Sequence, residues 1–395
     1  MRIFVLGAGA TGSLLAQLLE RQGHTVWCGD RDVDRAHRFL GKRSTIAVTQ
    51  VNARNLLGIV RAARGCHLIV NATASVFNLI VMRAALRLRA HYVDLSSHLT
   101  RNPFRSEQFT FAKRFEAKNR IALINAGAAP GLTNLLVKRA AEQLDEVEST
   151  LIRLYESSES DDPISQWSPE ATFDEAISSP RIYRNKKFRM VKRFAELEKF
   201  RFPDPIGGVN MVLAAQDEVT TLPYFIPMKN MDVKIGGNEF DRLRRWYKQG
   251  KLSKSRGLMK RRFPDTSSPK KIAKLIRQGI LRNARFAATV LVRGAKNGKG
   301  GKEEDQSLQI RSDCAFPTLY QIRQQGLFTT PVAYATAHVA ALFIKFFPRD
   351  ASGVFAPEQL PAETRRAILA GIRSNRVKIT HKISTIKPDV DDDAL

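Results

Sequence analysis

Cysteine and histidine are scarce in this chain. Its 395 residues include three cysteines and seven histidines. Cys28, Cys66 and Cys314 are odd in number and form no CxxC pair, so the sequence predicts a cytoplasmic protein without a disulfide framework. The histidines make no HExxH motif and no His/Cys cluster. We therefore expect no structural or catalytic metal ion.

Long hydrophobic runs are also lacking. The apolar residues 3–6 are too few for the core of a secretion signal, and glycines follow them at once. Residues 332–344 are the most apolar stretch late in the chain, but Thr336 and His338 interrupt it. That stretch is well short of the ~20 residues that a membrane-spanning helix needs. The sequence predicts no membrane span.

Acidic residues are few relative to basic ones, with 38 Asp or Glu against 64 Lys or Arg and a net charge of +26. Most of the excess lies in a basic segment, residues 242–302, where Asp265 is the single acidic residue. Three interpretations of this segment stay open. It is a solvated face or dimer-edge element, a surface that attracts acidic substrates or phosphates, or a surface for nucleic acid or anionic membrane. No RNA- or DNA-binding motif supports the last of these.

The chain is too long for one ordinary hydrophobic core, so two domains are expected. Residues 1–128 alternate short apolar strands with helical patterns. This alternation is typical of the α/β class with a doubly wound parallel sheet, the Rossmann fold. A first helix is predicted over residues 10–22. The predicted strands are residues 2–6, 24–28, 45–48, 68–71, 91–93 and 121–124.

Residues 129–388 change pattern and predict a second, α+β domain. A long alternating strand is predicted at 148–155, and a hairpin pairs 286–292 with 306–311 around the turn-forming Asn297-Gly298. A basic amphipathic helix is predicted over 269–282, with Ile272, Leu275 and Ile276 facing inward. Helices near 331–346 and 361–374 are expected to return toward the first domain. Residues 389–395 form an acidic tail.

The loop after the first predicted strand has the spacing GxGxxG, with glycines at 7, 9 and 12. Gly7 permits a tight turn, Gly9 lets the backbone approach a pyrophosphate, and Gly12 lets the helix pack closely on the strand. Ala10 and Thr11 complete the loop at the helix N-terminus, where free N–H groups and the helix dipole favour an anion. We expect this loop to bind the pyrophosphate of NAD or NADP.

Two residues at the end of the second predicted strand bear on which dinucleotide binds. Asp30 lies 18 residues beyond Gly12, where an acidic side chain accepts a hydrogen bond from the adenosine ribose of NAD. Its neighbour Arg31 would instead pair with the 2′-phosphate of NADP. Because Asp30 repels such a phosphate, the sequence favours NAD. An alternative makes Asp30 the N-cap of the next helix.

Further loops converge on the carboxyl edge of the predicted sheet, which is where ligands bind in open α/β sheets. Asp94 and His98 are candidate proton donors or acceptors, although Asp94 as a turn cap and His98 as an ordinary surface histidine are the alternatives. Small residues at this edge, such as Ala72 and Thr73, would let the nicotinamide ring approach the backbone. The other expected cofactor-binding residues at this edge are Asn71, Ala72, Thr73 and Gly127.

Several segments carry a resemblance that extends over nearly the whole chain. They are His-Tyr-Val-Asp-Leu-Ser at 91–96, Asn-Ala-Gly-Ala-Ala-Pro-Gly-Leu at 125–132, Gln-Trp-Ser-Pro-Glu at 166–170, Gln-Asp-Glu-Val-Thr-Thr-Leu-Pro at 216–223 and Gly-Val-Phe-Ala-Pro-Glu at 353–358. Together they resemble, in the same order, the saccharopine dehydrogenase and saccharopine reductase family of NAD(P)-dependent oxidoreductases.

The resemblance implies a second domain that binds substrate and mediates dimerisation. It implies hydride transfer at an imine or secondary amine of an amino-acid-derived or polyamine-like substrate. Expected substrate-binding residues are Ser97, Pro130, Gly131, Trp167 and Ser168. The last two have an alternative role as core residue and helix cap.

One position departs from the family pattern, because Ala129 stands where several members have an acidic residue close to the substrate. The substrate itself is therefore not carried over. Two other functions stay open. One is reduction of a different small carbonyl or enoyl compound, and the other is a non-catalytic cofactor-binding scaffold or sensor with a basic surface.

Overall fold

The computed structural model describes residues 1–162, 164–166, 177–251, 266, 268–297, 306–327, 329–348, 350–374 and 376–386. Trp167, Ser168, the central part of the basic segment and the acidic tail lie outside these ranges. The strands are β1 (Arg2–Leu6), β2 (Thr25–Asp30), β3 (Val48–Gln50), β4 (Leu68–Asn71), β5 (His91–Asp94), β6 (Ile121–Leu123), β7 (Glu146–Ser160), β8 (Arg181–Arg184), β9 (Lys187–Met190), β10 (Glu198–Arg201), β11 (Gly208–Leu213), β12 (Asn230–Gly236), β13 (Leu281–Lys296), β14 (Gln306–Ala315), β15 (Gly353–Phe355) and β16 (Lys378–Thr385).

Helices cover both sheets and connect their strands. They are α1 (Ala10–Arg21), α2 (Val33–Leu40), α3 (Leu56–Ala62), α4 (Asn78–Leu88), α5 (Ala112–Glu116), α6 (Leu132–Ala141), α7 (Leu222–Phe225), α8 (Asn238–Lys248), α9 (Pro269–Arg277), α10 (Leu319–Gln324), α11 (Pro331–Lys345) and α12 (Ala362–Ser374). No helix in the described ranges is long and apolar enough to cross a membrane.

The first sheet is parallel throughout, in the order β15-β6-β5-β4-β1-β2-β3. Six of these strands were expected, and their order confirms the doubly wound Rossmann arrangement. The third strand begins at Val48 rather than Thr45. Ile46 is buried just before it, and an apolar residue in a packed loop imitates a strand in the sequence pattern.

The seventh strand, β15, corrects the predicted domain limits. Residues 353–355 pair with β6 at the edge of the first sheet, so the first domain is not confined to residues 1–128. Helices alone were expected to return. β15 is three residues long, too short for its alternation to stand out in the sequence.

The second sheet is mixed, in the order β10-β11-β12-β7-β13-β14-β16, with β8 pairing with β12 and β9. β7 and β12 are parallel, whereas β13 is antiparallel to both β7 and β14. The α+β prediction and the β13–β14 hairpin are therefore confirmed. Residues 298–305 of the hairpin's turn lie outside the described ranges, whereas Asn297, where the turn begins, donates its N–H to Asp145 at 2.9 Å. β16 was not predicted. None of its residues is fully buried, so its sequence lacks a clear alternation of apolar and polar residues.

One continuous apolar cluster joins the two sheets. It includes residues of α1, α6 and α11 together with the inner faces of both sheets. α11 packs directly on α1, as expected for a C-terminal helix returning to the first domain. A separate cluster under α3, α4 and α5 covers the other face of the first sheet. The second sheet thus shares one apolar core with the first sheet and with α1, the helix that follows the glycine loop.

The described parts of the basic segment carry ordinary packing residues. Leu243 is buried in α8, and Ile272 and Leu275 are buried in α9. α9 ends at Arg277, five residues before the predicted end. Ile276, which was predicted to face inward, is only partly buried.

Candidate dinucleotide site and interdomain cleft

The glycine loop links β1 to α1 in the way the spacing predicts. Gly7 has a φ of +95°, and a Cβ on Gly12 would lie 1.8 Å from the carbonyl oxygen of Gly7. Both positions therefore require glycine. A Cβ on Gly9 would meet no atom within 4 Å, so the protein leaves open space beside Gly9. That space is where a pyrophosphate is expected to lie.

The N-terminus of α1 is not satisfied by any side chain. Gly9 is its N-cap and supplies no side-chain hydrogen bond, and its first turn, which includes Ala10 and Thr11, holds no acidic residue. The unpaired backbone N–H groups and the helix dipole therefore favour an anion at this point.

Asp30 lies at the end of β2 and is 4% exposed. One carboxylate oxygen accepts the N–H of Ala8 at 2.8 Å, and the other accepts the N–H of Asp32 at 3.0 Å. The guanidinium of Arg35 contacts both oxygens, at 3.2 and 3.3 Å. Arg31 is exposed. The repulsion that Asp30 would exert on a 2′-phosphate is therefore offset by Arg35.

Asn71 is buried and shapes the turn after β4. Its side-chain oxygen accepts from the N–H and the hydroxyl of Thr73, and its amide donates to Asn78 at the start of α4. The turn lies against the glycine loop, because a Cβ on Gly7 would come within 2.7 Å of the Thr73 methyl group. Ala72 and Thr73 are partly exposed there, as cofactor-lining residues should be.

Asp94 is 1% exposed and has partners on both oxygens. Tyr92 and Gln108 donate to one oxygen at 2.9 and 3.0 Å, and the N–H of Asn125 donates to the other at 2.8 Å. Burial raises the pKa of this carboxyl to about 7. The contacts fit the turn-capping alternative, since Asp94 ties the β5 loop to the β6 loop.

His98 is also buried, at 6% exposure. Its Nδ1 lies 2.8 Å from the carbonyl oxygen of Ser75, so Nδ1 carries the proton. Its Nε2 lies 3.0 Å from the Thr100 hydroxyl and 4.0 Å from Glu107. The side chain lines a cavity beside α4 rather than the seam between the domains.

The loop after β6 closes on itself near the expected nicotinamide position. The N–H of Gly127 donates to the carbonyl of Pro130, and that of Leu132 donates to Gly127. Gly131 has a φ of +129°, and a Cβ there would lie 1.9 Å from the Gly127 carbonyl oxygen. The peptide bond between Ala129 and Pro130 is cis. Ala129 is buried, and residues 125–131 include no acidic residue, so the acidic group missing at 129 has no substitute within this loop.

The second domain supplies an acidic residue that sequence reasoning left without a role. Asp217 precedes a helical turn at 218–220 and accepts the N–H of Ser97 at 2.9 Å. Its other oxygen is 3.6 Å from the guanidinium of Arg181. Arg181 is 8% exposed, and its Nε has no partner within the described residues. The sequence signal that pointed to Asp217 was the family resemblance of segment 216–223, to which this residue belongs.

Hydroxyl groups complete this seam between the domains. The Ser97 hydroxyl lies 2.6 Å from Ser106 and 3.1 Å from Thr220, and it is within 3.1 Å of Asn125. Two buried acids lie beside the first turn of α6, where Glu218 accepts from Thr133 and Glu358 accepts from Asn134. Within the described ranges, no group of three His, Cys, Asp or Glu side chains is close enough to share a metal ion.

Comparisons with known proteins agree with this geometry. Residues 3–123 match the family described as the saccharopine dehydrogenase NADP binding domain. Carboxynorspermidine synthase of Vibrio cholerae serotype O1 is 22% identical over 260 residues, which are 60% of this chain and 63% of that protein. The chain thus matches less than two thirds of this relative.

A solved structure shows the same overall fold. Apo saccharopine dehydrogenase (L-Glu forming) from Saccharomyces cerevisiae superposes with a TM-score of 0.68 at 13% identity, covering 98% of this chain and all of that one. The glycine loop, the sheet order and the family match agree: residues 3–123 match the saccharopine dehydrogenase NADP binding domain family, and the chain as a whole has the fold of saccharopine dehydrogenase.

Proposed function

We propose that this protein transfers a hydride between NAD(P) and the carbon of an imine or secondary amine in an amino-acid-derived or polyamine-like substrate. The observation that carries the proposal is the placement of the glycine loop. Its open space at Gly9 lies at the same sheet edge as the β5 and β6 loops, and Asp217 of the second domain contacts that edge through Ser97.

The nicotinamide supplies or accepts the hydride, and the chain has to position it and manage charge. The glycine loop would hold the pyrophosphate, with Ala72, Thr73 and Gly127 lining the nicotinamide side. We assign Asp94 a positioning role, because its two oxygens fix the loops that bear Ser97 and Asn125. Ser97, Pro130 and Gly131 border the substrate cleft, and Trp167 and Ser168 are retained as its proposed wall.

Charged substrate groups would meet Asp217 and Arg181. Asp217 is the acidic residue nearest Ser97 by direct contact, and burial raises its pKa, so it is suited to exchange a proton with the reacting nitrogen. The unpartnered Nε of Arg181 favours a substrate carboxylate. In this proposal Asp217 takes the place of the acidic residue absent at Ala129. We do not assign this proton transfer to His98, because its side chain lines the cavity beside α4 rather than the seam between the domains.

We further propose that NADP is the preferred dinucleotide. The sequence favours NAD because Asp30 is acidic, but Arg35 pairs with that carboxylate. Arg31 is exposed beside it and is able to reach a 2′-phosphate. The description of the matching family as an NADP binding domain also supports this preference.

The names of two similar proteins support the proposed substrate class. One relative is a carboxynorspermidine synthase and a structural neighbour is a saccharopine dehydrogenase. Both names denote compounds with a secondary amine between charged chains. A homodimer and a cytoplasmic location stay predictions from the sequence, as does the weak case for nucleic-acid binding through the basic segment.

The test is hydride transfer by the purified full chain. NADPH or NADH is mixed with pairs of an amine and a carbonyl compound, and absorbance at the dihydronicotinamide band is followed. We expect NADPH oxidation with amine pairs, with Asp217→Asn reducing kcat/KM at least tenfold, about 1.4 kcal/mol. Asp161→Asn, whose side chain is 92% exposed, is the control. Turnover of carbonyl or enoyl compounds alone would favour the other reductase function, and cofactor binding without any turnover would favour the scaffold.

A further inference from the structure

A cavity that is partly open to solvent lies in the first domain, away from the glycine loop. Its volume is about 490 Å³, and it lies between α4, the loop after β5 and the start of α5. Leu79 and Phe111 form an apolar part of its wall, and Thr110 and Asn102 form a polar part. None of its lining residues belongs to the glycine loop, the 125–131 loop or the 216–223 segment. The volume suits a small organic molecule rather than a bare ion.

Three arginines line this cavity: Arg83 on α4, Arg101 in the loop and Arg114 on α5. No carboxylate among the described residues lies within ion-pairing distance of their guanidinium groups. Arg114 stacks over the Phe111 ring at 5.1 Å, which orients its guanidinium without neutralising it.

The one acidic residue in the cavity wall is already satisfied. Glu107 accepts the backbone N–H groups of Arg101 and Asn102 and the hydroxyl of Thr100. It is 9% exposed. Between residues 79 and 114 the chain has seven Arg or Lys and two acids, and the other acid is the buried Asp94. With three arginines against the one carboxylate of Glu107, the cavity wall therefore carries a net positive charge.

We propose that this cavity binds a small organic anion with two or more negative charges on clustered oxygens, as in a phosphate monoester or a tricarboxylate. Planar guanidinium groups bind such oxygens in pairs, and three of them around one cavity match a multiply charged ligand better than a monoanion. The buried contacts of His98 to Ser75 and Thr100 fix the floor of the cavity. Ser97, which lies at the seam between the domains, is next to His98 in the loop after β5. An anion bound in the cavity would therefore affect that seam. This inference does not depend on the proposed reaction.

The test is isothermal titration of the full chain with glycerol 3-phosphate, citrate and acetate at physiological salt. The variant Arg83→Gln/Arg114→Gln removes two charges from the cavity. The matched control Arg87→Gln/Lys113→Gln removes two charges from the same helices, at exposed positions outside it. Circular dichroism and NADPH binding verify that both variants are folded.

We expect one of the two multivalent anions to bind with a sub-millimolar Kd, acetate to bind at least tenfold more weakly, and the cavity variant to lose at least tenfold in affinity while the control stays within twofold. The better ligand tells a phosphate ester from a polycarboxylate. The proposal is overturned if no probe binds the wild type, if both variants weaken binding equally, or if NADPH displaces the probe, which would place it at the glycine loop.

Discussion

The carboxylate of Asp30 accepts the backbone N–H of Ala8 at 2.8 Å, so the end of β2 is fastened to the middle of the glycine loop. Arg35 lies on the other side of the same carboxylate. Asp30 thus supports the loop that we propose to hold the pyrophosphate, and it also lies beside the expected ribose position. We therefore expect its effect on binding to be common to both dinucleotides.

Asp30→Ala is expected to weaken the binding of NADH and of NADPH by about tenfold each. A hydrogen bond to a charged group contributes about 1.5–3 kcal/mol, and its loss frees the N–H of Ala8. Fluorescence titration with each cofactor measures the effect. Asp34→Ala, at an exposed position in α2, is the control. Improved NADPH binding in Asp30→Ala would show that Asp30 acts only as a repulsive charge.

Arg31→Ala is expected to weaken NADPH at least tenfold and to leave NADH within about twofold, because only NADPH offers a 2′-phosphate to this exposed side chain. Arg38→Ala, exposed on α2, removes the same charge away from the end of β2. The ratio of the two dissociation constants is measured for each variant. An unchanged ratio in Arg31→Ala would return the preference to NAD.

The sequence predicts the glycine loop well because backbone geometry depends directly on residue type. Gly7 needs positive φ and Gly12 needs the absence of a Cβ, and their spacing follows from the strand-to-helix turn. Side-chain direction is less accessible. Asp94 and His98 both follow β5, yet Asp94 turns toward Tyr92 and Gln108 while His98 turns toward Ser75. Only the packed neighbours determine these directions.

Long-range contacts are the other part that the sequence does not reveal. β15 joins β6 across more than two hundred residues, and Asp217 contacts Ser97 across 120 residues. Local periodicity carries no information about such pairs. The resemblance pointed to the 216–223 segment, but the role of Asp217 depends on a contact between domains.

Substitutions at Gly9 and Gly12 should separate the binding role of the loop from its structural role. Gly12→Ala is expected to destabilise the fold, because its Cβ would collide with the Gly7 carbonyl oxygen at 1.8 Å. Gly9→Val has open space and a φ of −80°, so its melting temperature should stay within about 2 °C of the wild type. Its side chain would occupy the pyrophosphate space and abolish dinucleotide binding.

Thermal melting and NADPH titration on both variants provide the measurement. Gly23→Ala, just after the end of α1, is the control. Its φ of +82° causes some backbone strain but its Cβ would meet no atom within 4 Å, so it should lower the melting temperature less than Gly12→Ala does. If Gly9→Val binds NADPH with unchanged affinity, the dinucleotide lies elsewhere.

Glu218 should make the stability of the protein depend on pH. Burial raises the pKa of this carboxyl to about 7, from a usual value of 4.5, so the folded protein favours the protonated form. The stabilisation from that protonation is complete below the unfolded pKa and is lost as the pH rises through 7.

Glu218→Gln is neutral at every pH. Its free energy of unfolding relative to the wild type should therefore rise by about 2 kcal/mol between pH 5 and pH 8. Urea unfolding at both pH values gives this difference, with Glu363→Gln, exposed at the start of α12, as the control. A difference that does not change with pH would mean that Glu218 is ionised in the folded protein, held in that form by its hydrogen bond from Thr133 and by the nearby N-terminus of α6.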